Sequence, residues 1–511
     1  MRPTFMGYES SKTAMFASQK ALDIVGHNLS NMSSEGYTRQ RTDQVAVEAY
    51  SYKNRVSVDS MNYNGLGTSV NGVSQVRDQR LDFAFRSIYS ETSYYNKSND
   101  MLADIEGVLS EIDIGVEGNG YGLSWGIKQM YSALEDFASN VNVGGDTSIF
   151  AESVNNVTTL LNHISRTLSD ASKTYKMELQ SSVDDANTML TKVADLNKQI
   201  SEMLSSNGYT NQHGPNELID KRNVLLDQLS SFGKLVVSNN TDGSVNVTMN
   251  GHLCVEGKNA DKINYHENTN GTVTLAWKAD GTPADTDYGT LKASTDVLNG
   301  RGNNISSGTE TTVRGFQYYE DYLDTFAGKL ADILNNTLPE TMDSNGNILA
   351  YKKLVGESDY SNGKINVYTD KYVTAENIAI SDDLVQDPSY IIYDKNSSEN
   401  AYMIELLGKL SINKQTFSNG VETFTGTFQD YVADYVGRLG NDVQYANSRY
   451  ESCNKYSEQL LKERDGISGV SETEETMNML THNKAFQAAA KLMTTMDDLL
   501  DVIVNQIGAL G

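Results

Sequence analysis

The sequence predicts a mainly α-helical protein with inserted β modules, and three patterns lead to that fold class. Apolar residues recur every seven positions near the C-terminus, and a matching heptad stripe runs through the first thirty residues. Between them, the apolar period switches twice from helical spacing to alternation. The order helical, β, helical, β, helical predicts an elongated rod. Its two ends would pair as a coiled-coil-like inner domain, with a helical-bundle domain and an outer β domain beyond.

The C-terminal stripe begins after Ser471, which forms a capping box with Glu474 and so marks a helix start. Its residues follow an a/d heptad pattern that indicates a coiled-coil-type helix. Such a stripe needs a partner helix, because one amphipathic helix cannot shield its own apolar face. The residues of the stripe are Met479, Phe486, Ala489, Met493, Met496, Leu500, Ile503 and Ile507, with His482 at a d position.

The N-terminal segment, from Thr4 to about Asn31, supplies a candidate partner. Small residues flank its stripe and would permit close approach of another helix. Terminal pairing is one interpretation, and two separate amphipathic helices on local domains are the other, because heptads reveal a seam but not its owner. The stripe residues are Tyr8, Met15, Leu22, Val25 and Leu29.

The remaining segments complete a three-domain prediction. Helical periodicity covers about 75–112, 127–138, 147–207, 216–232 and 316–335, whereas strand-like alternation covers about 234–292 and 337–393. We therefore expect a terminal helical domain, a helical-bundle domain and an outer β domain. Their predicted bounds are 1–45 with 466–511; 46–232 with 308–335 and 396–465; and 233–307 with 336–395.

Composition and motifs exclude several function classes. The net charge of −26 disfavours nucleic acid as a partner, and no apolar run is long enough for membrane insertion. None of the six histidines stands at ligand spacing, so we expect no metal and no cofactor. Ser124 lies in a weak nucleophile-elbow string, Gly122 to Gly126. Asp343 to Asn347 favours a hairpin turn over a calcium loop. No catalytic site is predicted.

Several motifs nevertheless carry a family resemblance. The N-terminal helix ends in Asn28-Leu-Ser-Asn31, and Gly36-Tyr37-Thr38-Arg39-Gln40 follows. The segment Asn216 to Phe232 contains Leu-x-Asp-x-Arg, and the C-terminal helix contains an aromatic-Gln-Ala run at Phe486. Together with 377–391, these segments resemble the bacterial flagellar axial proteins, and within them the junction proteins between hook and filament.

The resemblance implies a structural, non-enzymatic component of the flagellum that joins hook to filament by many-copy tubular assembly. It implies export in an unfolded state by the type III apparatus without a cleaved signal peptide, and an extracellular location. The implied partners are further copies of the chain, the hook protein, a second junction protein next to the filament, and a cytoplasmic export chaperone on the C-terminal region.

Both terminal stripes are then expected to be assembly surfaces, with the turn motif beside them. The alternatives are a hook or rod protein of the same family, or a flagellum-displayed adhesin or hydrolase carried on the β modules.

Overall fold

The computed structural model describes residues 4–47, 67–110, 122–139, 144–206, 214–305, 308–359, 364–366, 373–392 and 399–502. Within these ranges the chain forms eleven α-helices, a 3₁₀ helix at Pro388–Ile391 and a π-helical turn at Gly408–Ile412. The α-helices are α1 (Thr4–Ser30), α2 (Gln79–Ser110), α3 (Leu123–Ser139), α4 (Gly144–Ser206), α5 (Asn216–Leu229), α6 (Thr290–Leu298), α7 (Phe316–Asn335), α8 (Asp382–Gln386), α9 (Glu399–Leu407), α10 (Phe428–Ser468) and α11 (Glu472–Asp501).

Small antiparallel sheets interrupt the helices, and every pairing between the described strands is antiparallel. The largest sheet has four strands in the order β3-β4-β5-β6. The strands are β1 (Gln40–Ala46), β2 (Thr68–Gln75), β3 (Leu235–Asn239), β4 (Val245–Met249), β5 (His252–Glu256), β6 (Asn259–Ala260), β7 (Ile263–Glu267), β8 (Val273–Trp277), β9 (Pro339–Met342), β10 (Ile348–Tyr351), β11 (Val355–Asp359), β12 (Lys364–Asn366), β13 (Ile378–Ile380), β14 (Gln415–Ser418) and β15 (Thr423–Gly426).

The chain divides into two compact units. Unit 1 comprises Met1–Ser90, Ala186–Lys262 and Asn454–Gly511, and unit 2 comprises Glu91–Asp185 and Ile263–Cys453. Unit 1 therefore holds both terminal helices, the β1–β2 hairpin, α5 and the four-stranded sheet. The three-domain division expected from the sequence stays a prediction.

Helix α4 shows how the apolar period becomes structure. It is 63 residues long, close to the predicted 147–207, and Val154, Val157, Leu161 and Ile164 are fully buried at the three- and four-residue spacing of one helix face. Its later half reaches unit 1, where the side chain of Asn197 is buried. The Asn197 amide donates to Val245 O at 2.8 Å and to Gly257 O at 2.6 Å, which fixes the four-stranded sheet on the helix.

The core of unit 2 contains a cluster of stacked aromatic rings. Tyr431 of α10 stacks on Tyr322 of α7 with ring centroids 4.0 Å apart, and on Phe417 of β14 at 4.1 Å. Phe428 meets Phe417 edge-on at 5.0 Å. Such stacked and edge-on pairs stabilise beyond the area they bury, so this aromatic cluster joins α7, α10 and the β14–β15 hairpin.

The second predicted β stretch is in part wrong, because α8 and the 3₁₀ helix lie inside it, and α6 overlaps the last residues of the first stretch. Helix α6 follows Gly289, whose φ of 116° favours glycine, and α8 is capped by Ser381, whose side chain accepts the Leu384 N–H. These helices are too short for a clear apolar period. The predicted turn at Asp343 to Asn347 is confirmed, since it joins β9 to β10 as a hairpin.

The described residues also include Ser124, two cysteines and the helices that could be tested for membrane insertion. Ser124 lies in the first turn of α3, and no parallel sheet of named strands supports a nucleophile elbow there. Cys254 and Cys453 are buried free thiols. None of the described helices is long and apolar enough to cross a membrane.

The buried carboxyl group of Glu320 should make unit 2 more stable at low pH than at high pH. Burial raises the pKa of Glu320 on α7 to about 7, and the charge of Asp324 adds to that shift. The unfolded carboxyl would titrate near its ordinary value, so the folded unit binds more protons between about pH 4.5 and 7. The contribution of Glu320 to the free energy of unfolding is therefore fully present at low pH and is lost as the pH rises through 7.

Replacing Glu320 with Gln should raise the thermal stability of unit 2 at pH 8, on the order of 1 to 3 kcal/mol, and have little effect at pH 4.5. Glu152→Gln, at an exposed position of α4 in the same unit, serves as the control. The measurement is calorimetric unfolding at both pH values. Equal effects of the two substitutions at pH 8 would contradict the interpretation.

Candidate assembly interface

The two ends of the chain pair as antiparallel helices. At one end of the contact, a Cβ built on Gly7 of α1 would lie 2.6 Å from the Cε of Met496 on α11. At the other end, the Asn28 amide donates to Glu475 Oε2 at 3.0 Å. Low-numbered residues of α1 thus meet high-numbered residues of α11. The predicted pairing of the terminal helices is confirmed, and it occurs within one chain.

The face that α1 turns to α11 is built from small residues. Gly7 and Asn28 are three heptads apart and both contact α11, so the residues at heptad spacing between them share that face. Ser11 and Ser18 are buried there, and their hydroxyls donate to the backbone carbonyls four residues earlier at 2.8 Å. Their polarity is therefore satisfied inside the helix, and the two backbones can approach closely. The face consists of Gly7, Ser11, Ala14, Ser18, Ala21, Val25 and Asn28.

The large residues predicted for the α1 stripe lie beside this face. Met15, Leu22 and Leu29 are half-buried, whereas Val25 is buried. The seven-residue spacing therefore holds, but the centre of the packed face lies on the small residues. Phe16 is 56% exposed. The flank of large side chains remains partly open to solvent.

Helix α11 presents most of its predicted stripe to α1. Glu475 and Ala489 are buried, and they share heptad spacing with Met496, which contacts Gly7. His482, the polar residue at a d position of the predicted stripe, is half-buried on the same face. Met479 is exposed, and Ile503 and Ile507 lie outside the described residues. The other half-buried residues of this face are Phe486, Met493, Met496 and Leu500.

Five apolar side chains of α11 are exposed in the single chain, on a side of the helix that also carries the exposed Lys484 and Lys491. At about 100° per residue, these five fall within one arc on the side of the helix away from α1. Leu480 is 55% exposed and Leu499 is 50% exposed. We call this group the outer stripe, and it consists of Met477, Leu480, Leu492, Leu499 and Val502.

The family turn motif folds onto the start of α11 through Asn28. This side chain is 1% exposed, and its oxygen accepts from Tyr37 Oη at 2.8 Å and from the Gln40 N–H at 3.0 Å. Its amide donates to Gln40 O at 2.9 Å as well as to Glu475. Both ends of the amide are thus satisfied by groups from two segments, the Tyr37–Gln40 turn and the start of α11. We call Asn28, Tyr37, Arg39, Gln40 and Glu475 the Asn28 cluster.

Arg39 neutralises the buried carboxylate of that cluster. Its Nε donates to Glu475 at 2.9 Å, and its Nη1 donates to Glu474 at 2.8 Å. The Arg39 N–H donates to Ser468 O at 2.8 Å, so the same residue also holds the end of α10. Ser471 accepts the Glu474 N–H as the predicted N-cap, while the Glu474 side chain pairs with Arg39. Arg39 thereby fixes the short link between α10 and α11.

Steric and electrostatic constraints explain the glycine and the tyrosine of the motif. Gly36 has φ of +74°, and a Cβ there would lie 2.1 Å from a methyl of Val224, so both conformation and space require glycine. The Tyr37 ring packs beside His27, whose Nδ1 is 2.9 Å from Tyr37 Oη. Burial and the carboxylate of Asp220 raise the pKa of Tyr37, which keeps it a neutral donor.

The Leu-x-Asp-x-Arg segment lies in α5 and contacts the same motif. Asp220 accepts from the Thr38 N–H at 3.2 Å and from Gln75 Nε2 at 2.8 Å. Burial raises the pKa of Asp220, although these hydrogen bonds oppose the shift. Asn31 has a more local role, since its amide donates to His27 O at 2.9 Å. The turn motif therefore joins α1, β2, α5 and α11.

Sequence reasoning missed some residues of this arrangement. Glu475 was part of the C-terminal motif but had no assigned role, and its partners lie more than 400 residues earlier in the sequence. The ion pairs of Arg86 and Arg464 with Asp227, at 2.6 and 2.7 Å, were missed as well. The signal that could have identified Glu475 is its seven-residue spacing from His482 and Ala489, which places an acid on the packed face of the helix.

Known flagellar proteins are similar to this chain in its central part and at its C-terminal end. A model of the flagellar hook-associated protein FlgK helical domain matches residues 109–350, and a model of the flagellar basal body rod FlgEFG protein C-terminal matches residues 466–507. Flagellar hook-associated protein 1 of Bacillus subtilis (strain 168) is 29% identical over 100% of both chains. That of Salmonella typhimurium (strain LT2) is 22% identical, covering 96% of this chain and 97% of its own. The chain is thus similar over its whole length to flagellar hook-associated protein 1.

A solved structure has a similar fold. The flagellar hook junction protein FlgK from Burkholderia pseudomallei matches with a TM-score of 0.54 at 11% identity, covering 75% of this chain and 100% of that chain. At that identity the likeness concerns the fold alone. It agrees with a mainly α-helical chain carrying small antiparallel sheets.

The role of the Asn28 cluster can be tested by adding a negative charge to it. Asn28→Asp would place a second buried carboxylate about 3 Å from Glu475, at a site where the Gln40 carbonyl also needs a donor. We expect a loss of about 2 to 4 kcal/mol in the stability of the helix pair. Amide exchange over α11, together with urea unfolding, measures that loss.

The double variant Asn28→Asp with Glu475→Gln should recover much of the loss, because one of the two carboxylates is removed. Asn31→Asp is the matched control, and only its single bond to His27 is at stake, about 1 kcal/mol. If Asn28→Asp were no worse than Asn31→Asp, the cluster would not hold the two ends together.

Proposed function

We propose that this chain is a structural subunit of the bacterial flagellum, where many copies join the hook to the filament as a tubular layer. The single observation that supports this proposal most strongly is the match of its long central part to the FlgK helical domain. The rod-type model matches only the C-terminal 466–507. This pattern favours a junction protein over a hook or rod protein of the same broader family.

The outer stripe supports the many-copy part of the proposal. A single α11 packs one apolar face on α1 and leaves the outer stripe in solvent, although apolar stripes are normally covered. A second copy of the chain is the occupant that we propose. Because every copy carries −26 charges, the contact between copies has to be apolar or locally matched in charge.

The terminal residues then divide into two roles. Phe486, Ala489, Met493, Met496 and Leu500 hold α11 on α1 within one chain. The outer stripe, together with the half-open flank of α1, would contact neighbouring copies. That flank consists of Met15, Phe16, Leu22 and Leu29.

The finer partners are part of the same proposal. We expect contacts with the hook protein on one side and with a second junction protein next to the filament on the other. Before export through the type III apparatus, a cytoplasmic chaperone would cover the C-terminal region. The exposed apolar side chains of α11 support that role, since they would otherwise promote aggregation in the cytoplasm.

We assign no catalytic role. The resemblance is to a family of flagellar structural proteins, and Ser124 lacks the parallel sheet that a nucleophile elbow needs. No feature of the described residues favours the adhesin or hydrolase alternative for the β modules. Immuno-electron microscopy tests the assignment directly. Labelling along the whole filament, or none on the flagellum, would contradict a junction role.

The outer stripe gives a mutational test of assembly. Leu492→Asp with Leu499→Asp should leave the monomer folded, because both side chains are about half exposed, yet abolish incorporation between hook and filament. Circular dichroism measures folding, and labelled flagella measure incorporation. Asn483→Asp with Thr494→Asp is the matched control, since these exposed positions lie off the stripe on the same helix.

The inner seam should behave differently. Phe486→Asp is expected to free α11 from α1 and to abolish incorporation as well, so it loses both readouts. Normal incorporation of the Leu492 and Leu499 double variant would show that the outer stripe is not an assembly surface.

A further inference from the structure

Unit 1 contains an open cavity of about 730 Å³ that the junction role does not use. Its walls are the β1–β2 hairpin, the start of α2, the end of α4, α5 and the β3–β4 hairpin. Four of the wall residues are arginines, in a chain that is strongly acidic as a whole, and three of them, Arg77, Arg86 and Arg222, are largely buried.

The three arginines differ in how their charges are balanced. Arg77 pairs with Asp82 through two hydrogen bonds of 2.5 and 2.9 Å, and Arg86 pairs with Asp227 at 2.6 Å. Arg222 donates to two neutral acceptors, Asn197 Oδ1 and Gly243 O, both at 2.9 Å. Among the described residues, no carboxylate forms an ion pair with it.

Arg222 is also deeply buried, with 5% of its surface exposed. A buried cation without a counter-charge is costly, because desolvation is not repaid by a nearby anion. Burial, followed by the positive charges of Arg86 and Arg77, lowers the pKa of Arg222 to about 10. The positive charges of Arg86 and Arg77 thus add to the cost of burying the Arg222 cation.

Two N–H groups of these arginines have no hydrogen-bond acceptor in the described part of the chain. They are the Nε of Arg222 and the Nη2 of Arg86, which is likewise 5% exposed. Buried donors are normally satisfied, so unused donors on two adjacent cations indicate a missing acceptor. An acceptor that also carries negative charge would correct both deficits.

We infer that this cavity binds a small oxyanion, of the phosphate or sulfate class, against Arg222 and Arg86. The planar donor fork of a guanidinium matches the oxygens of such an ion, and charge-assisted bonds of this kind are the stronger ones. The carboxylates of Asp82 and Asp43 on the same wall limit the charge that the site accepts, which favours one small ion. The site is independent of the outer stripe.

Equilibrium dialysis of the full chain against radiolabelled inorganic phosphate, at constant ionic strength in chloride, tests the inference. We expect saturable binding of one phosphate per chain. Phosphate also stabilises proteins by exclusion from their surface, so binding rather than a thermal shift is the deciding measurement. Failure to detect saturable binding would overturn the proposal.

A pair of matched variants locates the ion. Asn239→Asp adds a carboxylate at an exposed position of the cavity wall and should weaken phosphate binding roughly tenfold. Asn259→Asp adds the same charge to the same sheet, at an exposed position that is not part of that wall, and should leave binding unchanged. Equal effects of the two substitutions would place the ion elsewhere.

Arg222→Gln removes the unbalanced charge and should abolish binding, with circular dichroism as the check on folding. Unchanged phosphate binding by a folded Arg222→Gln protein would overturn the inference. If that variant does not fold, the Asn239 and Asn259 pair still decides the question. Incorporation into flagella by Asn239→Asp should be normal, which separates this site from the junction role.

Discussion

A single buried amide holds the two ends of this chain together. Asn28 lies in the last turn of α1, and its four hydrogen bonds reach Tyr37, Gln40 and Glu475. An asparagine side chain offers two donors and two acceptor lone pairs, so no substitute of similar size satisfies all these partners. Losing it would leave polar groups of the Tyr37–Gln40 turn and of Glu475 without these partners, which costs more than the bonds contribute.

The charge on Glu475 makes this arrangement dependent on Arg39. A carboxylate 1% exposed is tolerable only when it is paired and hydrogen-bonded, and Arg39 with Asn28 provides both. Since the Arg39 backbone also bonds Ser468, the ion pair fixes the direction in which α11 leaves α10. Anchoring the terminal helix pair and orienting it are therefore one interaction.

The sequence allowed the helices, their heptads and the family to be predicted, because these depend on local periodicity and short motifs. Small residues beside the stripe were expected to permit close approach, but the centre of the packed face of α1 was not predicted, since heptad analysis gives weight to large apolar residues such as Met15 and Leu22. The packed face instead uses Ser11 and Ser18, which look polar in sequence but satisfy their hydroxyls inside the helix.

Long-range polar partners could not be predicted for a different reason. The bond from Thr38 to Asp220 spans 182 residues, and that from Asn28 to Glu475 spans 447. No local pattern encodes which distant carboxylate a given amide meets. Helix α6 was missed because its nine residues are too few to show a helical period against the strands before it.

The geometry of the terminal pair has a consequence for assembly. Small side chains let α1 and α11 approach closely, but they bury little apolar area for each residue that is ordered, so the pair gains less from burial than a seam of leucines would. Most of the α11 seam is only half-buried in the single chain. Covering the outer stripe with a neighbouring copy would add the missing area, and binding to the folded form stabilises it by mass action. Order in the terminal helices and contact between copies are thus thermodynamically coupled, with the Asn28 cluster fixing the geometry that each copy presents.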